Sequence, residues 1–128
     1  MAHKSNLPGR AVYIVDGNRT PFLKAKGIGP FSASDLAVEA GKPLLNRQSF
    51  TPNQLDEVII GSALPGVDEA NIARVIALRL GCGEKVPAFT AMRNCASGMQ
   101  ALDTAALNIA SGRSELVLAG GTDAMSHA

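Results

Sequence analysis

The residue best suited to covalent chemistry in this sequence is Cys95, near the head of the stretch RNCASGMQALDTAALNIASG that runs from Arg93 to Gly112. Thiols activated as nucleophiles sit in open loops leading into helix N-termini, where unpaired amides and the helix dipole favour the thiolate. Cys95 precedes an alanine-rich helical pattern and follows a strand candidate, at the carboxyl end where open α/β sheets hold their ligands. Ser97 and Gly98 keep the first helical turn small, so a substrate carbonyl could approach backbone donors that stabilise its developing charge. A free cysteine is also among the most buried residue types, and position alone leaves inert packing open beside a catalytic role.

Other reactive side chains offer less. Cys82 is thirteen positions from Cys95, and the histidines are His3 and His127 alone, a spacing that fits neither a zinc site nor a C-x-x-C redox pair. Cys82, in LGCGEK, reads as a semi-exposed loop residue and not as a catalytic acid. His3 falls in a tail, and His127 near the chain end is a poor candidate for the base that would serve Cys95. The GIG at Gly27 to Gly29 is followed by Pro30 and Phe31, so it does not continue as a dinucleotide fingerprint. Lys24 and Lys26 read as solvated, and Arg19 as a residue that shapes the first loop. Asp103 and Asn108 on the helix after Cys95 need polar partners, which points to a structural role.

The elements that must position Cys95 can be read from apolar patterning. Ala11–Val15, Glu57–Gly61, Val86–Ala91 and Glu115–Gly121 are apolar runs with the length of buried strands. Between them lie helical patterns. Ser32 or Ser34 caps the first, with Leu36, Ala40 and Leu44 on one side and Pro43 expected to kink or end it. Thr51-Pro52 opens one short turn. Ile72, Ala73, Ile76, Ala77 and Leu80 form the stripe of the second helix, which Gly81 stops. The order βαβαβαβ predicts an α/β layered fold with a mostly parallel sheet. The third helix carries Met99, Leu102, Ala105, Ala106, Ile109 and Ala110 around most of its surface. A helix apolar all round is a buried helix, and one sheet covers only one side of it.

Composition bounds the rest. The chain has 128 residues, is 46% hydrophobic and has a net charge of +1, so it can build a core but presents no strongly basic or acidic face. With aromatics at 4% and no Trp, it lacks the stacking platform of a single-strand binder. No apolar leader or spanning segment is visible, and two cysteines fit reduced thiols in a cytoplasmic setting. Residues 1–10 read as a mobile tail and residues 11–128 as one partial domain.

Four motifs, RTPF from Arg19, NIAR from Asn71, NCASGMQA around Cys95 and LVLAGGTDAMS from Leu116, stand in the order and near the spacing seen in thiolases. From about Ala11 to Ala128 the chain resembles the N-terminal part of that family. The resemblance implies a thiolase-like layered fold with a C-terminal half of the same topology, and a helix sandwiched between two sheets. It also implies that Cys95 is the nucleophile acylated by a 3-ketoacyl-CoA, in thiolytic cleavage or the reverse Claisen condensation. Coenzyme A and acyl-CoA are then substrates, no metal or other cofactor is implied, and the enzyme is a homodimer or homotetramer. The histidine of a G-H-P motif, an asparagine and the second cysteine of a C-x-G motif fall beyond Ala128 in that family, so these residues alone are expected to be inactive. Met92 departs from the pattern, which has Asn, Ser or Thr three residues before the nucleophile. A β-ketoacyl synthase-like condensing enzyme and a noncatalytic binding module are the alternatives.

Overall fold

A computed structural model describes residues 9–128. Its centre is β1, Glu57–Gly61, in which Val58, Ile59 and Ile60 are all buried. Three consecutive branched residues can bury only where both faces of a strand are covered, as in the middle of a parallel sheet. β2, Ala88–Ala91, and β3, Val117–Gly121, flank it in parallel, giving the order β2-β1-β3. The register sets Ile59 between Phe89 and Ala119, and Gly61 between Ala91 and Gly121.

Two helices, α1 (Ala33–Asn46) and α2 (Ile72–Arg79), share one core with Val58 and Ile60, while α3 (Ser97–Ala110) packs on Ile59 and Ala91. The placement follows from connectivity. α2 joins β1 to β2, and α3 carries the chain back past β1 to β3, so the two connections run in opposite senses across the sheet. Crossovers of one hand then put their helices on opposite faces. The result is the expected α/β layered architecture, with α3 alone on its side. α3 buries Ser97, Ala101, Ala105 and Ala110 but leaves Met99, Leu102 and Leu107 exposed.

The helix ends follow local chemistry. Ser32, not Ser34, caps α1 in a reciprocal box with Asp35. Of the two effects expected of Pro43, a kink or an end, it does not bring the second: the helix continues to Asn46. The proline removes the amide that would bond the Glu39 carbonyl, and separately the Gln48 side chain donates to the Leu44 carbonyl at 2.9 Å, satisfying one of the carbonyls at the helix end. The buried face of α1 is Val38, Gly41 and Leu45, with Leu36, Ala40 and Leu44 half-buried beside it. That rotation lets Leu80 lie within 3.0 Å of where a side chain on Gly41 would begin.

A second correction concerns Ala11–Val15, which is not a strand. The segment is irregular, and Tyr13, Ile14 and Val15 are 77%, 86% and 76% exposed. Its ends are tied down, Arg10 donating through its amide to the Ala110 carbonyl and Asp16 accepting from Arg47. An apolar run becomes a strand only when a neighbour takes its amides and carbonyls, and among the described residues none pairs with this one. The four expected strands are therefore three.

Two carboxylates, the exposed Asp16 and the half-buried Asp35, clasp α1 to its surroundings. Hydrogen bonds from Arg47, Gln48 and the Gly17 amide hold Asp16 far below the usual carboxylate range. The Ser32 amide and then Arg79 hold Asp35 below it as well. A carboxylate whose pKa is depressed by folding stabilises the fold above its unfolded value of about 4, and that contribution is lost as pH falls through the folded value. The urea midpoint should therefore hold steady down to about pH 5 and drop between roughly pH 4 and 2. Asp16→Asn should remove part of the drop, and a midpoint indifferent to acid would show that these pairs stabilise nothing.

Candidate active site

Beyond β2 the chain turns tightly into α3, and the turn presents Cys95. The Ala96 amide donates to the Arg93 carbonyl at 3.0 Å, and the Ser97 amide to that of Asn94 at 3.2 Å. Asn94 takes the left-handed conformation (φ 48°), which asparagine tolerates better than most residues. The buried Ser97 side chain closes the loop from inside. Its hydroxyl accepts from the Arg93 amide at 2.8 Å and donates to the Asn94 carbonyl at 2.6 Å. Cys95 is left exposed on the outside of this turn, two residues before α3. α3 has no side-chain cap, and with the Ser97 amide already bonded to Asn94 the donors left for a ligand are the Gly98 and Met99 amides.

Glycines set how close α3 comes to the sheet. A Cβ on Gly61 would stand 2.2 Å from the carbonyl carbon and oxygen of Ser97, and one on Gly121 would stand 3.0 Å from the Gly98 Cα. The first turn of α3 thus rests directly on the backbone at the carboxyl ends of β1 and β3. Sheet-like bonds continue there, Ser62 donating to the Ala91 carbonyl at 3.1 Å and Thr122 to that of Gly61 at 3.0 Å.

Over this floor opens a cavity of about 680 Å³, lined by Cys95, Gly98, Gly121 and Asp123, and by the long loop that carries Arg19, Lys24 and Lys26. It lies at the carboxyl ends of the strands, the position expected for a ligand in an open parallel sheet. A thiol that lines this cavity together with Gly98 and Gly121 is the kind of group that attacks a carbonyl, and backbone amides at the start of a helix are the kind that stabilise an oxyanion.

The other candidates scatter. Cys82 is not semi-exposed: it is 1% exposed, within the core shared by α1 and α2, and burial pushes its thiol pKa up. Gly81 is left-handed (φ 83°), and the Gly81 and Cys82 amides bond back to the Leu78 and Ala77 carbonyls, a C-cap that turns the following side chain inward. His127 bonds through Nε2 to the Gly29 carbonyl at 2.7 Å and is absent from the lining of the Cys95 cavity. His3 lies outside the described residues. Asp103 is exposed, while Asn108 donates to Glu57. Arg19 stacks its guanidinium over Phe22 at 5.5 Å. Met92 is exposed, and the polar support expected three residues before Cys95 comes from Ser97 instead. In the sequence Ser97 and Gly98 stand out only as small residues. Gly61 and Gly121, each ending an apolar run, were a legible signal of close approach.

Residues 12–128 match the family model described as thiolase, N-terminal domain. Beta-ketoadipyl-CoA thiolase of Pseudomonas knackmussii is 45% identical over 122 residues, covering 93% of this chain and 30% of that protein. Human mitochondrial 3-ketoacyl-CoA thiolase is 37% identical over 121 residues, again 93% of this chain and 30% of the relative. Among solved structures, the Bacillus anthracis acetyl-CoA acetyltransferase superposes with a TM-score of 0.65 at 40% identity, covering 80% of this chain and 27% of that one. The human mitochondrial 3-ketoacyl-CoA thiolase superposes at 0.71 with 38% identity, covering 77% and 25%. The chain thus spans about 30% of the length of the curated relatives quoted.

Proposed function

Because this chain belongs to the thiolase family, we propose that Cys95 is the nucleophile of an acyl transfer between a 3-ketoacyl-CoA and coenzyme A. One observation carries the assignment: the exposed thiol lines the strand-end cavity, two residues before a helix with no side-chain cap. The thiolate attacks the 3-keto carbon, and the bond between carbons 2 and 3 breaks. The acetyl-CoA carbanion takes a proton and leaves, and the shortened acyl group remains on sulfur. The thiol of coenzyme A then attacks that thioester and frees Cys95. Splitting the reaction at an acyl-cysteine replaces one difficult step by two easier ones. Coenzyme A is a substrate throughout, and the reading calls for no metal or redox cofactor.

The general base and the proton donor are assigned to polypeptide outside this stretch, since His127 is bonded elsewhere and Cys82 is buried. The same outside half would cover Met99, Leu102 and Leu107 on α3, and the whole enzyme would be a homodimer or homotetramer. Both cysteines are free, and no helix among the described residues is long and apolar enough to cross a membrane.

Acylation is the step to test, in the polypeptide of relatives' length that also carries the base. On incubation with acetyl-CoA, peptide mass spectrometry should find the acetyl group on Cys95, in excess over Cys82 by on the order of tenfold or more because only local opening exposes the latter. Equal labelling of the two thiols, or an unlabelled Cys95, would overturn the assignment. Sustained thiolysis by these 128 residues would overturn the placement of the base elsewhere.

A further inference from the structure

We propose that Asp123 is a positioning residue for acyl transfer at Cys95, holding in place the backbone floor on which the first turn of α3 rests; the inference depends on the role given to Cys95 above. Asp123 follows β3, yet its bonds are to the loop that leaves β1. Its Oδ1 accepts from the Ser62 hydroxyl at 3.0 Å, the Ala63 amide at 3.0 Å and the Leu64 amide at 3.1 Å, and Oδ2 accepts from Ala63 at 3.3 Å. Successive amides converging on one carboxylate form an anion nest, and a charged acceptor makes its bonds stronger than neutral ones. Ser62 is completely buried, so its hydroxyl depends on this partner.

The clamp reaches the thiol through backbone. Ser62 directly follows Gly61, whose missing side chain admits the Ser97 carbonyl, and Asp123 stands two residues after Gly121, which meets Gly98. Thr122, between Gly121 and Asp123, donates through its amide to Gly61 and through its hydroxyl to the Ala33 carbonyl at 2.6 Å. Cutting the carboxylate frees the β1 and β3 exit loops from each other at the seat of α3. The turn bearing Cys95 is fastened to that seat by Ser97.

The test uses the polypeptide of relatives' length that carries this stretch. Asp123→Ala should lower kcat about a hundredfold, the loss that accompanies a misplacement on the order of 1 Å, with KM for the acyl-CoA little changed. Asp123→Glu should restore part of the rate. Ser62→Ala, which keeps the charge and removes one donor, should cost less, and the double variant should be no slower than Asp123→Ala because both cut the same clamp. Faster hydrogen exchange at Ala63 and Leu64 in either variant would show that the clamp has opened. Normal kcat with those amides released would overturn the proposal, as would losses that simply multiply in the double variant. If Asp123→Ala does not fold, an unchanged kcat in Ser62→Ala has the same force. A Cys95→Ser protein that still turns over would instead sink the reading beneath it, while an inactive Cys95→Ser beside a fully active Asp123→Ala sinks this inference alone.

Discussion

Cys95→Ser, placed in the polypeptide of relatives' length, should lower acyl-transfer turnover by roughly a thousandfold or more while leaving the unfolding midpoint where it was. The two halves of that expectation come from different facts. In the proposed mechanism turnover depends on a thiolate, and thiolates in general form far more readily near neutral pH than alkoxides and leave more readily from an acyl intermediate. Stability does not depend on it, because the side chain is exposed, and an exposed substitution of this kind stays within about 0.5 kcal/mol. Cys82→Ser is the matched control, with the opposite signature. It puts a hydroxyl into the apolar core around Val58 and Ile76, at a cost of about 1–3 kcal/mol if that hydroxyl finds no partner, and it should leave turnover per folded molecule intact. Thiolysis rates and urea midpoints measured on both proteins settle the matter. Residual turnover in Cys95→Ser within tenfold of the parent, on the order of 1.4 kcal/mol of barrier, would mean that the sulfur is not the nucleophile.

That contrast between two thiols marks where sequence reading succeeds and where it stops. EVIIG is legible because three branched residues in a row demand cover on both faces, and β1 has the expected bounds, Glu57–Gly61. The α2 stripe is equally plain, since Ile72, Ala73, Ile76, Ala77 and Leu80 recur at helical spacing and all are buried. Cys82 was misread because its burial arises from geometry after the helix: a left-handed Gly81 redirects the chain by one residue, and hydropathy has no term for that. AVYIV was misread for a complementary reason. Its composition states what the segment tolerates, while strand formation depends on a partner that none of the described residues supplies. The exposed turn that carries Cys95 is legible because small residues after a cysteine are a local signal. Its supports are legible unequally: Ser97 bonds within the same turn and Gly61 ends an apolar run, whereas Asp123 acts on Ser62, Ala63 and Leu64, some sixty residues away in the chain, and no local pattern marks it.

The closeness of those contacts leads to the second large effect, Gly61→Ala. The added Cβ would have to occupy space 2.2 Å from Ser97 backbone atoms and 2.5 Å from the Gly98 nitrogen, and no side-chain rotation relieves a clash with backbone. β1 is held on both sides by its ladders, so α3 must lift away from the sheet. Overpacking in a tight core costs about 1–3 kcal/mol when side chains can adjust, and here they cannot, so the loss should reach about 3 kcal/mol or more. A graded series isolates the cause. Gly121→Ala meets the Gly98 Cα at 3.0 Å and should cost less, on the order of 1–2 kcal/mol. Gly98→Ala finds its nearest neighbour at 3.6 Å, an ordinary contact, and should be tolerated or gain a few tenths of a kcal/mol from helix propensity. The order of urea midpoints should therefore be Gly98→Ala, then Gly121→Ala, then Gly61→Ala, even though each change adds the same methyl group. Equal effects at the three sites would mean that the start of α3 does not rest on the strand ends, and the support described for Cys95 would lose its foundation.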